Sequence, residues 1–141
     1  DAAELFPGVL PVLKQLKAVG VLSVLVSNKA MDLLESAVNA LQLNEYFEKI
    51  VGVKKEGLCK PDISVWEQSI KPYIPSIEPE KILMVGDTST DLKFAQAMEV
   101  DSAWATYGLG DPESCQALEP TYELQSINDL LDIILFGTQP L

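Results

Sequence analysis

Short apolar runs alternate along this chain with segments of helical periodicity, and no other feature constrains its fold as strongly. The runs at residues 21–26, 50–53, 82–85 and 102–105 predict strands, with a further edge strand at 121–124. Helices are predicted at 8–19, 31–41, 60–71 and 91–98, and a last helix begins with a capping box of Ser126 and Asp129. All-apolar strands between helices are typical of a parallel sheet covered on both faces. The chain is therefore predicted to form one α/β domain, residues 1–141, with a doubly wound sheet.

Histidine and arginine are both absent from the 141 residues, in which ten lysines face 21 acidic residues. Without histidine, catalytic relays through imidazole and histidine-containing zinc sites are excluded. Without arginine, the cysteine-dependent phosphatases that clamp phosphate with a guanidinium group are excluded as well. Chemistry in this chain therefore rests on carboxylates, lysines, hydroxyls, backbone amides or a metal.

The formal charge of −11 and the scattered lysines argue against nucleic acid or a membrane surface as a partner. The apolar runs are also far shorter than the roughly 18 residues that a membrane-spanning helix needs. Cys59 and Cys115 are too few for a disulfide framework and lack the C-x-x-C spacing. We expect reduced thiols and a cytoplasmic location.

Ligands of parallel sheets bind beyond the carboxyl ends of the strands, so the residues that follow the predicted strands are the site candidates. The hydroxyl of Ser27 can donate to a phosphate oxygen beside the amides of a helix start, although a serine there more often only caps the helix. Lys60 precedes Pro61, which favours an extended backbone and lets its ammonium project; a solvated surface lysine is the alternative. Three further candidates follow the strand at 102–105 and are expected at the rim of the site: Thr106, Tyr107 and Gly108.

Two acidic residues follow the strand at 82–85 through a glycine turn. Asp87 leaves the strand after Gly86, and Asp91 stands four residues later in the first turn of the next helix. Two carboxylates with water molecules are a common way to hold Mg²⁺ beside a phosphate. The alternative is that both residues only cap the helix and complement its dipole.

Taken together, these segments resemble the haloacid dehalogenase superfamily of phosphohydrolases, and within it the phosphoglycolate-phosphatase-like branch. The matching segments are Phe6-Pro7-Gly8-Val9, Val24-Leu25-Val26-Ser27-Asn28-Lys29, Lys60-Pro61-Asp62, Gly86-Asp87-Thr88-Ser89-Thr90-Asp91 and Thr106-Tyr107-Gly108. They occur in the order of that family and cover almost the whole chain. The resemblance implies a Rossmann-like parallel sheet sandwiched by helices.

By this resemblance, Ser27 binds the transferring phosphoryl group with Asn28 beside it. Lys60 neutralises the charge that builds on the phosphate and the nucleophile, and Asp87 and Asp91 hold the Mg²⁺ that screens the two anions. The family reaction forms and hydrolyses an aspartyl phosphate, which needs no histidine. The implied function is Mg²⁺-dependent hydrolysis of a small phosphomonoester, with a small phosphorylated metabolite as substrate.

The chain departs from the family at its first motif. That motif is a D-x-D segment after the first strand, and no D-x-D occurs here. The cap domain is missing too, and Asp1 is no substitute because it follows no strand. We therefore expect this sequence to be the carboxyl-terminal part of a longer phosphatase, inactive alone. The first strand lies centrally in the family's sheet, so a missing segment or a second chain is expected to fill the gap between two apolar edges.

Two other interpretations stay open. One is a non-catalytic module, a degenerate or truncated relative used for partner binding, and it predicts no hydrolysis even by the parent gene product. The other is a phosphoacceptor receiver domain, which shares the inventory of acid, hydroxyl and lysine. Receiver domains place their acidic pair after the first strand, whereas the order here is Ser27, Lys60, Asp87 and Asp91, so we rank this interpretation low.

Overall fold

The computed structural model describes residues 8–54 and 58–137 of the chain. By contacts within the chain these residues form two compact units. The first contains the described chain up to Lys60 together with Ser64–Pro75, and the second contains Pro61–Ile63 and the described chain from Ser76 onward. Asp1, Phe6 and Pro7, which the sequence interpretation used, lie outside the described residues.

The first unit builds a two-stranded parallel sheet from alternating helices and strands. Its elements are α1 (Val9–Ala18), β1 (Val24–Ala30), α2 (Met31–Ala40), β2 (Lys49–Val53) and a π-helix at Val65–Ile70 that continues into a 3₁₀ turn at Lys71–Tyr73. Its apolar core forms where α2 packs onto the sheet, with Leu34, Val38 and Leu43 buried. Leu25 and Ile50 contribute from the strands. This amphipathic packing gives the short strands a face to bury.

The pairing of β1 with β2 is irregular at its carboxyl end. Val24, Leu25 and Val26 pair in sequence with Lys49, Ile50 and Val51, and the next pair is Ala30 with Val53. Residues 27–29 therefore lie where the register of the two strands shifts and the regular ladder is interrupted. The apolar run had placed Ser27 just after a strand; it lies instead in the irregular part of one.

The second unit carries a three-stranded parallel sheet. Its elements are β3 (Leu83–Gly86), α3 (Ser89–Met98), β4 (Asp101–Ala105), α4 (Pro112–Ala117), β5 (Tyr122–Leu124) and α5 (Asp129–Phe136). The strand order is β3-β4-β5. Leu92 of α3, Trp104 of β4 and Cys115 of α4 pack together as a buried cluster. The α/β class predicted from the alternation is confirmed.

Two helical predictions were wrong in detail. A regular helix was predicted from Lys60, but residues 60 and 61 form a turn and the helical segment is a π-helix that begins only at Val65. No helix was predicted between the strands at 102–105 and 121–124, where α4 is found, with the Asp111 side chain accepting from the Ser114 amide. Asp111 before Pro112 is a helix-start pattern that the sequence interpretation passed over.

The strands of the described residues fall into two sheets, β1-β2 and β3-β4-β5, and no pairing between β1 and β3 is seen in these residues. Direct pairing of those two strands would have contradicted the expected central strand from another segment. That expectation stays a prediction. No helix of the described part of the chain is long and apolar enough to cross a membrane.

Candidate functional site

In the first unit, the side chain of Asn28 and the backbone of Lys60 hold each other by two reciprocal hydrogen bonds. The Asn28 amide nitrogen donates to the Lys60 carbonyl at 3.0 Å, and the Lys60 amide donates to the Asn28 side-chain oxygen at 2.9 Å. These residues are 32 positions apart in the chain. The pair therefore fixes the Lys60 turn against the irregular part of β1.

The same turn carries the ammonium of Lys60 to the point on β1 where its regular pairing with β2 stops. Lys60 Nζ donates to the carbonyl of Val26 at 3.2 Å, one residue before Ser27. Ser27 is half-buried, and its Oγ accepts from the backbone amide of Lys29 at 3.1 Å. The structure thus brings together Ser27, Asn28 and Lys60, which the sequence interpretation assigned to phosphate binding. A hydroxyl, a carboxamide and an ammonium are groups that can donate to a phosphate oxygen.

In the second unit, Asp91 is tied to the backbone that follows β3. Its Oδ2 accepts from the backbone amides of Asp87 at 3.0 Å and Thr88 at 3.1 Å, and from the Thr88 hydroxyl at 3.1 Å. Thr88 and Asp91 form a reciprocal capping box at the start of α3. The helix-capping interpretation of Asp91 is therefore realised in the structure. This buried carboxylate, only 6% exposed, has donors that compensate its desolvation.

The position of Asp91 depends on Gly86. A Cβ atom at residue 86 would fall on the Asp91 side chain, so a larger residue would push the carboxylate away. The requirement is one of space for a close approach, which is a reason for glycine at the end of a strand.

Asp87 is held by the chain that follows β4. Its Oδ2 accepts from the backbone amide of Leu109 at 2.9 Å, and a Cβ at Gly108 would fall on its side chain. The Sγ of the buried Cys115 lies 3.9 Å from the Asp87 carbonyl oxygen. Burial raises the pKa of the Cys115 thiol, and the charges of Asp111, Asp87 and Asp91 raise it further.

The three predicted rim residues have different surroundings. The hydroxyl and the amide of Thr106 both donate to the carbonyl of Leu124, which ties the chain after β4 to β5. Burial raises the pKa of the Tyr107 hydroxyl, and the charges of Asp129 and Asp87 raise it further. Gly108 donates its amide to Ala105 and lies against Asp87. The structure therefore brings Gly108 to the candidate metal ligand, while Thr106 is occupied with β5.

Sequence reasoning missed two contributors to this site. Thr88 begins a T-x-x-D capping pattern that was readable from the sequence but was not used. Leu109 contributes through its backbone amide, which every residue except proline possesses. The readable signal at Leu109 was its position between Gly108 and Gly110, which points to a close approach of the backbone.

The donor set of Asp87 and Asp91 fits a hard divalent cation. Both offer carboxylate oxygens, which Mg²⁺ prefers, and Mg²⁺ commonly takes one or two protein carboxylates and keeps several waters. Within residues 8–54 and 58–137, no cluster of three or more histidine, cysteine, aspartate or glutamate side chains could hold a metal. A closed zinc site is therefore not offered by these residues, whereas a two-carboxylate magnesium site is compatible with them.

Comparison with protein families and known proteins gives a consistent result. Residues 1–105 match the family described as haloacid dehalogenase-like hydrolase. Phosphoglycolate phosphatase 1 of Pseudomonas aeruginosa is 34% identical over 128 residues, which are 91% of this chain and 46% of that protein. Phosphoglycolate phosphatase of Escherichia coli is 33% identical over 135 residues, covering 93% of this chain and 51% of the relative. The chain thus spans about half the length of these relatives, and the resemblance to their branch is confirmed.

Solved structures support the fold. A protein named as a predicted phosphoglycolate phosphatase from Haemophilus somnus superposes with a TM-score of 0.82 at 24% identity, covering 92% of this chain and 57% of the other. A haloacid dehalogenase-like family protein from Streptococcus pneumoniae gives a TM-score of 0.78 at 20% identity, covering 91% and 59%. At these identities the likeness shows the architecture alone, and the architecture agrees with the Rossmann-like prediction.

Proposed function

The chain belongs to the haloacid dehalogenase-like hydrolase family, and we propose that it forms the Mg²⁺-dependent core of a phosphatase that acts on a small phosphomonoester. The observation that carries this proposal is the contact of Lys60 with Asn28 and with the carbonyl of Val26, which places Lys60 beside the Ser27-Asn28 segment of β1. Curated relatives named phosphoglycolate phosphatase support the reaction class. The substrate is proposed to be a small phosphorylated metabolite.

Within the proposed reaction, the first unit supplies the phosphate-binding groups. The hydroxyl of Ser27 and the carboxamide of Asn28 would donate to phosphoryl oxygens, and the ammonium of Lys60 would offset the charge that builds during transfer. The Asn28 and Lys60 hydrogen bonds hold the lysine turn before substrate arrives. Preorganised charge of this kind costs no rearrangement at the moment of reaction.

The second unit would hold the metal through Asp87 and Asp91. A bound Mg²⁺ would supply charge screening between a phosphate and an anionic nucleophile. A family neighbour from Bacillus subtilis, with a TM-score of 0.80 at 21% identity, is described as bound to magnesium. The chain's own contribution at Asp91 is the Thr88 cap, which keeps that carboxylate oriented.

The proposed covalent scheme also requires an aspartate nucleophile. No D-x-D segment occurs among the 141 residues, so we propose that residues outside this chain supply the nucleophile and the general acid.

Both cysteines are free thiols, which supports the proposed cytoplasmic location.

The test is release of phosphate from p-nitrophenyl phosphate by the product of the whole open reading frame, with and without MgCl₂. We expect Mg²⁺-dependent hydrolysis that is lost in Asp87→Asn and retained in Asp101→Asn, which removes the same charge from an exposed position. Full activity of Asp87→Asn would end the metal assignment. If the unsubstituted gene product hydrolyses nothing, the non-catalytic module takes the place of this proposal.

A further inference from the structure

We propose that the 108–110 loop, residues Gly108, Leu109 and Gly110, is a positioning element that orients the carboxylate of Asp87 for its metal. The inference rests on the proposed function, because it assigns a role to the backbone around a proposed magnesium ligand. Neither the sequence pattern nor the named relatives assign a role to Leu109 or Gly110. The loop acts through Asp87, and the proposal includes no contact between the loop and the substrate.

The hydrogen bond from Leu109 is the direct contact. Its backbone amide donates to Asp87 Oδ2 at 2.9 Å, within the range of a well-formed bond to a carboxylate. The Leu109 side chain is 91% exposed and therefore adds little to any core. Leu109 contacts Asp87 through its backbone amide, so the Leu109 side chain can be changed without removing that hydrogen bond.

The two glycines leave room for Asp87 on both sides of that amide. A Cβ at Gly108 would fall on the Asp87 side chain, and a Cβ at Gly110 would fall on its carbonyl oxygen and lie 2.9 Å from the Thr88 Cα. Neither glycine has a positive φ, whereas Gly20 and Gly137 do. The absence of a side chain at 108 and 110 is therefore needed for close approach and not for backbone conformation.

The loop is anchored at both ends, so it can resist movement of the carboxylate. Before it, Thr106 makes two hydrogen bonds to Leu124 of β5. After it, the side chain of Asp111 accepts from the amide and the hydroxyl of Ser114 and starts α4. A group that is itself fixed by packing and hydrogen bonds can hold a metal ligand in one orientation.

The two proposed ligands are thereby held by different means. Asp91 is oriented within its own helix start, through the Thr88 cap three residues before it. Asp87 is oriented by the amide of Leu109, 22 residues away in the loop that follows β4. A change in the 108–110 loop should therefore weaken the metal site through Asp87 while the cap of α3 stays formed.

The test compares Leu109→Pro with Leu109→Ala by calorimetric titration of the product of the whole open reading frame with MgCl₂. Proline removes the N–H that contacts Asp87, whereas alanine keeps it and removes only exposed surface. Leu109 is not among the described non-glycine residues with a positive φ, which are Gln42, Glu99 and Glu119. The backbone at position 109 therefore does not have the left-handed conformation that proline cannot adopt. We expect the Kd for Mg²⁺ to rise about 10- to 100-fold in Leu109→Pro, as for other supports of metal ligands, and to change less than about 2-fold in Leu109→Ala.

Gly108→Ala is the second variant, expected to weaken Mg²⁺ binding in the same direction because its methyl group displaces Asp87. Circular dichroism shows whether each variant keeps its secondary structure. A measurement on the unsubstituted protein tests the positioning role even if both variants unfold. The NMR resonance of the Leu109 amide should shift during the MgCl₂ titration, and the Kd fitted to that shift should equal the Kd from calorimetry.

The outcomes separate this inference from the proposed function. If the unsubstituted protein binds no Mg²⁺, the metal assignment itself falls and the inference falls with it. If it binds Mg²⁺ while a folded Leu109→Pro binds equally well, or the Leu109 resonance stays fixed throughout the titration, the positioning role is overturned and the phosphatase proposal stands.

Discussion

At the scale of single residues, one carboxylate carries two assignments that sequence reasoning had set against each other. Asp91 caps α3 through Oδ2, and the same residue is the proposed second ligand of Mg²⁺. A carboxylate has two oxygens and about four lone-pair directions, so capping and metal binding are compatible. Substitution at this position should therefore affect both stability and metal affinity.

Asp91→Asn should lower the free energy of unfolding by about 1 to 2 kcal/mol, because the cap loses its charge and part of its acceptor capacity. It should also weaken Mg²⁺ binding at least tenfold, roughly the effect of removing one charge-assisted ligand contact. Urea unfolding and calorimetry measure the two effects.

Asp129→Asn is the matched control for that substitution. The Asp129 Oδ2 accepts from the backbone amides of Gln125 and Ser126 at the start of α5, so it has the same kind of role without a proposed metal. The free energy of unfolding of Asp129→Asn should fall by an amount similar to that of Asp91→Asn, while its affinity for Mg²⁺ should stay unchanged. Equal Mg²⁺ affinities of Asp91→Asn and the unsubstituted protein would reduce Asp91 to a cap.

Asn28 is the other residue whose role is open to a direct test. Asn28→Ala removes both hydrogen bonds to the Lys60 backbone, and each such bond contributes about 0.5 to 1.5 kcal/mol. We expect urea unfolding to show a free energy of unfolding lower by about 1 kcal/mol, since two exposed bonds contribute at the low end of that range. We also expect weaker binding of inorganic phosphate. Asn39→Ala on α2 should leave phosphate binding unchanged; a phosphate Kd unaltered by Asn28→Ala would remove Asn28 from the site.

At the scale of elements, the sequence was informative wherever periodicity and burial agreed. The apolar run before Gly86 and the helical spacing after Thr88 predicted β3 and α3 to within two residues. The segment after Lys60 was less readable, because the difference between an α-helix and the π-helix at Val65–Ile70 is a matter of backbone hydrogen bonding. In the 108–110 loop, the two glycines indicate a close approach of the backbone, but the sequence does not show which group the Leu109 amide contacts, because every residue except proline has such an amide.

Helix α4 offers a pH-dependent test of its cap. Hydrogen bonds from the Ser114 hydroxyl and amide lower the pKa of Asp111 below its ordinary value of 3.8. A lowered pKa means that the cap stabilises the fold above the unfolded pKa and that this contribution is lost as the pH falls through the folded value. The Ser114 amide resonance should therefore titrate with a midpoint below 3.8, and a midpoint at or above that value would contradict the cap.

The packing of α3 onto β4 gives the second test at this scale. Leu92 is 1% exposed and packs with Trp104 and Cys115, so Leu92→Ala should cost about 2 to 5 kcal/mol of unfolding free energy. Leu109→Ala, at a position that is 91% exposed, should change it by less than about 0.5 kcal/mol. Similar urea midpoints for the two variants would show that the buried cluster does not stabilise this unit.

At the scale of the whole molecule, the sequence carried the family but not the detailed support of its site. The residues on which the family resemblance rests, from Ser27 to Asp91, were identified from the sequence, and the family match confirms the resemblance. Ser27 and Asp91 have local hydrogen-bond partners, whereas those of Lys60 and Asp87 include contacts 22 to 34 positions apart along the chain, Leu109 to Asp87 and Lys60 to Val26. Such contacts follow from the folded topology and have no local sequence signal.

The central proposal is that Ser27, Asn28 and Lys60 of the first unit and Asp87 and Asp91 of the second serve one reaction. Its most direct test is the affinity for inorganic phosphate, measured by calorimetry with and without MgCl₂. Because linkage is reciprocal, a metal and a phosphate that are used together should each tighten the other's binding. We predict that Mg²⁺ lowers the Kd for phosphate and that this coupling is lost in both Lys60→Met and Asp87→Asn; a phosphate Kd that is the same with and without Mg²⁺ would contradict the account.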